Sequence, residues 1–131
     1  MAIFGADSKA AANTQMKNGY CLYDWVMRMN SFPAFWGRDL DGENQISPEE
    51  LEFLRTKNCK IALIITDLTE KSVAGVNGAA DAFRAAEAAE ALGVPKDAGI
   101  ALFAEIQPDW SVNHNWMLNF ADVLRGMGYV P

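Results

Sequence analysis

Short apolar runs that end beside a carboxylate recur four times along the chain and alternate with longer amphipathic stretches. The run from Ile100 to Ala104, which precedes Glu105, is too short for a free-standing helix. It follows a turn-rich segment, so we predict a buried strand. Strands that alternate with helices form parallel sheets, because a parallel pair needs a long crossover connection. The spacing of these runs therefore predicts an α/β fold with a parallel sheet.

The predicted elements follow the order β-α-β-α-β-α-β-α. The start of the second helix is well marked, because Ser47, Pro48 and Glu50 fit the N-cap, N1 and N3 positions. Gly93 fits the position just after the end of the third helix. The predicted strands cover residues 2–7, 34–39, 60–67 and 100–104. The predicted helices cover residues 20–30, 48–57, 76–92 and 115–127. Residues 128–131 open a fifth strand. The chain thus contains four βα units and a fifth-strand stub in one domain, residues 1–131, with right-handed crossovers.

Charged side chains stand at the carboxyl end of every predicted strand. Parallel strands end at the same edge of a sheet, where α/β proteins place their chemistry, so we expect these side chains to meet. They are Asp7, Arg38, Asp39, Asp67 and Glu105. Two carboxylates on rigid strand ends can divide the roles of acid and base, as hydrolysis of a glycosidic bond requires. Trp36 and Trp110 stand near these ends and offer flat apolar faces for a sugar ring. The alternative is that the acids only cap the strands or pair with Arg38.

Composition limits the partners. A chain of 131 residues holds one domain with a core, and its net charge of −6 argues against nucleic acid or an anionic membrane as a partner. Each apolar run is shorter than the roughly 20 residues that a helix needs to cross a bilayer. The first residues lack the basic and apolar regions of a signal peptide. Cys21 and Cys59 have no CxxC spacing, so we expect two buried free thiols, with a disulfide as the alternative.

A calcium loop is a competing interpretation of residues 39–50. Counted from Asp39, oxygen-bearing residues fall at positions 1, 3, 5 and 9 of an EF-hand loop and Glu50 at position 12. Against it, Asn44 stands where the loop needs glycine, and Pro33 interrupts the helix that should enter the loop. A βα loop with a capping box explains the same residues.

Other metal and cofactor sites find no support in the sequence. His114 is the only histidine and has no ligand-spaced companion, so we expect it in the first turn of a helix. The glycines form no phosphate-binding fingerprint. Asp81 fits a partner of a helix dipole rather than a catalyst. We therefore predict neither a metal nor a cofactor.

Several segments together resemble a known family. They are FGAD, PAFWGRDL, ISPEELEFLRTKNCKIALI, NGAADAFRAAEAAEALGVP, IALFAEIQPD and GYVP, in order and across nearly the whole chain. The chain resembles the DUF1906 family of glycoside-hydrolase-like (β/α)-barrel domains, which are distantly similar to family 25 lysozymes and occur mainly in Gram-positive bacteria. The resemblance implies a TIM-like barrel that binds a cell-wall glycan, in a secreted or cell-wall-associated protein. It implies a mouth that holds Asp7 and Glu105. We take these two acids as the catalytic pair and expect the substrate to be bound by Trp36, Arg38, Asp67, Gln107 and Trp110.

The chain departs from this family in two ways. The family usually has a second acid where Gln107 stands, and Gln107 cannot ionise. A full barrel also takes about 250 residues, so we expect either a truncated barrel or half-barrels that pair as a homodimer to cover their open edges. We predict a glycoside hydrolase that acts on bacterial cell-wall polysaccharide with two carboxylates. The alternative is a non-catalytic glycan-binding or assembly module of the same fold.

Overall fold

Four parallel strands form one sheet in the computed structural model, which describes residues 2–131. The strands are β1 (Gly5–Asp7), β2 (Phe35–Asp39), β3 (Lys60–Ile65) and β4 (Ala101–Ala104), and they lie side by side in chain order. Each neighbouring pair is parallel. The predicted parallel α/β fold is confirmed, and its strand order is compatible with a half or truncated barrel.

The helices alternate with these strands. They are α1 (Leu22–Arg28), α2 (Pro48–Thr56), α3 (Glu70–Ala74), α4 (Gly78–Leu92) and α5 (His114–Gly126). Helix α3 is an addition to the predicted order, and it begins at a capping box that Thr69 and Ser72 form. His114 opens α5, as predicted. None of the helices within residues 2–131 has the length and apolar character needed to span a membrane.

The end of the chain adds to the free edge of β4. Val130 forms an isolated parallel bridge with Ala101. The backbone N–H of Leu102 donates to the Val130 carbonyl at 2.8 Å, and the N–H of Val130 donates to the Ile100 carbonyl at 3.0 Å. The predicted fifth-strand stub is therefore confirmed as a bridge in the fifth-strand position.

The two faces of the sheet differ in burial. Leu63 and Leu102 are fully buried in a core shared with the helices. The residues that follow them along the strands point to the opposite face, where Phe103 is 53% exposed and Ile64 is half-buried. Phe35 shares that face through the register of β2 and β3 and is 38% exposed. We call the face of Phe35, Ile64 and Phe103 the open face.

Helix α4 packs on the core through small residues. Its buried residues are Gly78, Asp81, Ala82, Ala85, Ala86 and Ala89. The helical spacing of the sequence also allows Phe83 on the apolar face, but Phe83 is 50% exposed. Small side chains let α4 approach its neighbours closely, so the larger ring is left outside. Cys21 and Cys59 are buried and free, which confirms that prediction.

Candidate functional site

Two carboxylates contact one lysine at the carboxyl edge of the sheet, and a third ends the neighbouring strand on the same face. Lys9 follows β1, and its Nζ lies 3.1 and 3.0 Å from the two carboxylate oxygens of Asp39. The same Nζ lies 3.7 Å from Glu105 Oε1, and the charge of Asp7 also acts on Lys9. We call Asp7, Lys9, Asp39 and Glu105 the Lys9 cluster. The parallel strands thus bring Asp7 and Glu105 to one edge, as expected from the sequence.

The strand register places these carboxylates on the open face. Asp7 is the register partner of Gly37, and Asp39 is that of Ile64. Glu105 comes two residues after Phe103, and its backbone N–H continues the ladder by donating to the Ile65 carbonyl at 2.9 Å. Side chains two apart on a strand share a face. The Lys9 cluster therefore opens toward the face that the helices do not cover.

Lys9 bridges the gap between Asp39 and Glu105. Lys9 Nζ lies 3.0 Å from an Asp39 oxygen and 3.7 Å from Glu105 Oε1, so these two oxygens are at most about 7 Å apart. Carboxylate pairs of glycosidases are separated by roughly 5 to 9.5 Å. The bound of about 7 Å overlaps that range, and it applies to Asp39 and Glu105 and not to Asp7.

The members of the cluster differ in access to solvent. The side chain of Asp39 is 4% exposed, that of Glu105 39% and that of Lys9 58%. Asp7 is also exposed. Asp7 and Glu105 are therefore the carboxylates that a ligand can reach, whereas Asp39 lies behind Lys9 and fixes its ammonium group.

The charges around Lys9 keep it protonated. The hydrogen bond with Asp39 raises the pKa of Lys9 above its ordinary value of 10.5, against a lowering by desolvation, and the charges of Asp39, Glu105 and Asp7 raise it further. With one ammonium and three carboxyl groups, the cluster offers both a cation and hydrogen-bond acceptors to a polar ligand.

Two glycines make room for side chains on this face. A Cβ on Gly37 would lie 3.2 Å from Asp7 Oδ1, so the carboxylate of Asp7 lies directly over Gly37. A Cβ on Gly5 would lie 2.1 Å from the ring of Phe35, which covers Gly5. The absence of side chains at both positions lets Asp7 and Phe35 lie flat against the sheet.

The prediction that Trp36 and Arg38 line the mouth is wrong. Both side chains point to the helix-covered side of β2, where Trp36 is 1% and Arg38 2% exposed. Trp36 packs against Tyr23, with the ring centroids 5.7 Å apart. Arg38 Nε donates to Glu50 Oε2 at 2.7 Å. Successive residues of a strand point to opposite faces, so Arg38 cannot share the open face with Asp39.

The other predicted ligand-binding residues lie outside the Lys9 cluster. Asp67 is exposed and turns toward α4, where its carboxylate lies 3.9 Å from Arg84 Nη1. Gln107 and Trp110 follow Glu105 in the loop between β4 and α5, and the N–H of Trp110 donates to the Gln107 carbonyl at 3.1 Å. Gln107 is exposed, whereas Trp110 packs partly against the core.

Three carboxylates of residues 39–50, at positions 1, 3 and 12 of the calcium-loop pattern, bind three different partners. Asp39 pairs with Lys9. Asp41 Oδ1 accepts from the N–H of Thr66 at 2.7 Å and from its hydroxyl at 2.8 Å. Glu50 is held by Arg38. In the part of the chain that the structure describes, no group of three or more His, Cys, Asp or Glu side chains could hold a metal ion. This geometry gives the calcium-loop alternative no support.

Sequence reasoning missed Lys9 and Glu50. Lys9 stands two residues after Asp7, on the loop that leaves β1, and a lysine beside a strand-end acid is a pattern that could have identified it. Glu50 fits the capping box, but only half of that box forms, because the N–H of Glu50 donates to Ser47 Oγ at 3.1 Å while its carboxylate turns to Arg38.

The fold and this edge define an α/β protein with a parallel sheet and a lysine-bridged group of acids at its carboxyl end. No protein-family model matches the sequence, and no curated protein matches it. The chain is similar to the crystal structure of an uncharacterized B. stearothermophilus protein, with a TM-score of 0.79 and 27% identity. The match covers 98% of this chain and 58% of that one, so the chain spans little more than half the length of the longer protein.

Proposed function

We propose that this chain is a glycoside-hydrolase-like domain that hydrolyses glycosidic bonds of a bacterial cell-wall polysaccharide at the Lys9 cluster. The observation that carries the proposal is that Lys9 Nζ joins Asp39 and Glu105 at the carboxyl edge, where Asp7 ends β1 on the same face. In barrels built from βα units, that edge is where active sites are found. The resemblance to DUF1906 domains and the compatible strand order support the same proposal.

The proposal assigns the two reachable carboxyl groups to the reaction. One of these groups, Asp7 or Glu105, donates a proton to the oxygen of the bond that breaks, and the other takes a proton from the water that attacks the sugar carbon. Bond cleavage then yields two sugar products and restores both groups after proton exchange with solvent. Asp39 anchors Lys9, whose ammonium can donate hydrogen bonds to sugar hydroxyls.

The test is release of reducing ends from purified bacterial peptidoglycan. Glu105→Gln and Asp7→Asn keep the shape of each side chain but remove its acid–base chemistry, so we expect a loss of about 10²-fold or more for each. Asp109→Asn is the matched control, because Asp109 is an exposed acid of the loop after Glu105, and it should keep wild-type activity. Equal activity of wild type and Glu105→Gln, with both proteins folded by circular dichroism, would remove the enzyme proposal.

A second candidate function is non-catalytic glycan binding. Two observations favour it: Gln107 cannot ionise, and the ammonium of Lys9 already occupies the space beside Asp39 and Glu105. A binding module would sediment with insoluble peptidoglycan without releasing reducing ends. Lys9→Met should then weaken sedimentation, since it removes the cation of the cluster, whereas Lys17→Met should not.

A further inference from the structure

The loop that carries Lys9 is held by side chains from the opposite side of the sheet. Residues 8–12 leave β1 without helix or strand structure. Arg38 Nη1 donates to the carbonyl oxygens of Ser8 and Lys9, both at 2.9 Å. Glu50 Oε2 accepts from the backbone N–H of Ala12 at 2.9 Å. Trp36 Nε1 also donates to Ser8 Oγ at 2.8 Å, but Arg38 and Glu50 are the side chains that bind the backbone of residues 8, 9 and 12.

Arg38 and Glu50 form a buried ion pair beneath the loop. Their side chains are 2% and 1% exposed, and Arg38 Nε lies 2.7 Å from Glu50 Oε2. Arg38 Nη2 also donates to the Asn44 carbonyl at 3.0 Å, while Glu50 Oε1 is buried with no partner in residues 2–131. A buried pair contributes little net stability, because desolvation of both charges offsets their attraction. The guanidinium holds its donors in one rigid plane, so it fixes the positions of the carbonyl groups that it binds.

Lys9 is thereby fixed at both ends to neighbouring residues of β2. Arg38 binds its backbone carbonyl on the helix-covered side, and Asp39 binds its Nζ on the open side. Adjacent strand residues point to opposite faces, so Arg38 holds the backbone of Lys9 on one face of the sheet and Asp39 holds its ammonium group on the other.

We infer that Arg38 and Glu50 are positioning residues that place Lys9 against Asp39 and Glu105. The inference concerns the geometry of the Lys9 cluster, and only its consequence for activity rests on the proposed function. A purely structural role would stabilise the fold without changing the state of Lys9, so the ammonium group of Lys9 itself is the deciding measurement.

The first variant removes both charges at once. Arg38→Met/Glu50→Leu leaves no unpaired buried charge, and it removes the partners of the Ser8 and Lys9 carbonyls and of the Ala12 N–H. We expect the folded variant to lose the carbonyl contacts, so that the Lys9 ammonium hydrogens exchange with water about tenfold faster in NMR spectra at mildly acidic pH. The amide hydrogen of Ala12 should lose its protection by a similar factor. The ammonium of Lys17 serves as the internal reference.

A second variant and a control keep the result decisive. Arg38→Lys keeps a cation beside Glu50 but lacks the planar fork, so it should speed Lys9 exchange even if the double variant fails to fold. Arg55→Met/Glu52→Leu removes an exposed pair from the same helix α2 and should leave Lys9 unchanged. Wild-type exchange of Lys9 in a folded Arg38 variant would overturn the inference.

The activity measurement separates this inference from the proposed function. If peptidoglycan is hydrolysed by wild type, the folded double variant should lose about tenfold in rate, since Lys9 no longer lies between the carboxylates. Faster Lys9 exchange in a protein that hydrolyses nothing supports the positioning role and counts against the enzyme. Unchanged exchange together with active enzyme refutes only the positioning role.

Discussion

Replacing Gly78 with alanine should destabilise the fold strongly, because Gly78 packs directly against the backbone of α5. A Cβ at this position would lie 2.0 Å from the Trp116 carbonyl oxygen and 2.8 Å from the Phe120 backbone nitrogen. These atoms belong to the backbone of α5 and cannot rotate away. One helix must therefore move away from the other by about 1.5 Å to restore ordinary contact distances.

Moving α4 and α5 apart lowers the unfolding free energy. Overpacking a well-packed contact costs about 1–3 kcal/mol, and a collision with helix backbone belongs at the upper end. The shift also strains the bond of 2.8 Å from Trp116 Nε1 to the buried Asp81 Oδ2. The helix propensity of alanine returns less than about 1 kcal/mol. We therefore expect Gly78→Ala to lose about 3 kcal/mol of unfolding free energy and roughly 10 °C in Tm.

Gly126→Ala is the matched control for this prediction. Gly126 is the last residue of α5, and a Cβ there meets nothing within 4 Å. The same substitution should then be neutral or stabilise by about 0.5 kcal/mol. Urea unfolding and thermal melts followed by circular dichroism measure both variants. A Gly78→Ala protein that melts within about 2 °C of wild type would refute the close α4–α5 contact.

Four further predictions concern the charged groups and the assembly. Lys9→Met removes the cation that pairs with the buried Asp39, although Lys9 itself is largely exposed. In urea titrations at pH 7 it should lower the unfolding free energy by about 1 kcal/mol relative to Lys17→Met. The pKa of Lys9 is raised, so this difference should vanish once the pH rises above 10.5 and through the folded-state pKa, and a difference that persists would contradict the ion pair. Burial raises the pKa of Tyr23 above 10.0, so the unfolded chain loses the phenol proton first and the unfolding free energy falls above pH 10. Tyr23→Phe should make this fall less steep, and an unchanged slope would refute the prediction. Native mass spectrometry should detect a homodimer if half-barrels pair, and a stable monomer at micromolar concentration would reject it. Millimolar calcium should release no heat in calorimetry, because Asp41 and Glu50 are engaged elsewhere; saturable binding would restore the calcium loop.

The sequence was sufficient for the parallel sheet because each strand is defined locally. The run from Ile100 to Ala104 is apolar, bounded by turns and followed by an acid, and the crossover helices then force parallel pairing. That topology alone brings Asp7 and Glu105 to one edge. Strand alternation could also have excluded Arg38, because it precedes Asp39 in the same strand and must face the other way.

The contacts beneath the edge were beyond sequence patterns because they join distant residues. Glu50 binds the Ala12 backbone across 38 positions, and Lys9 binds Asp39 across 30. Local patterns favour the nearest partner, so Glu50 was interpreted as part of a capping box. Phe83 shows that helical spacing has the same limit. The spacing places Phe83 on the apolar face of α4, but it does not tell which residues of that face will be buried.

The open face links assembly to chemistry. Phe35 and Phe103 lie on the same side of the sheet as the carboxylates of the Lys9 cluster, and Phe103 stands two residues before Glu105, so a partner that covers Phe103 would lie beside Glu105. Water would then be excluded from around Glu105, and its interactions with a ligand would strengthen as the local dielectric falls. The glycan assay and the native mass should therefore be measured at the same protein concentrations, because activity that rises with the dimer fraction would show that the covered face is the working form of the site.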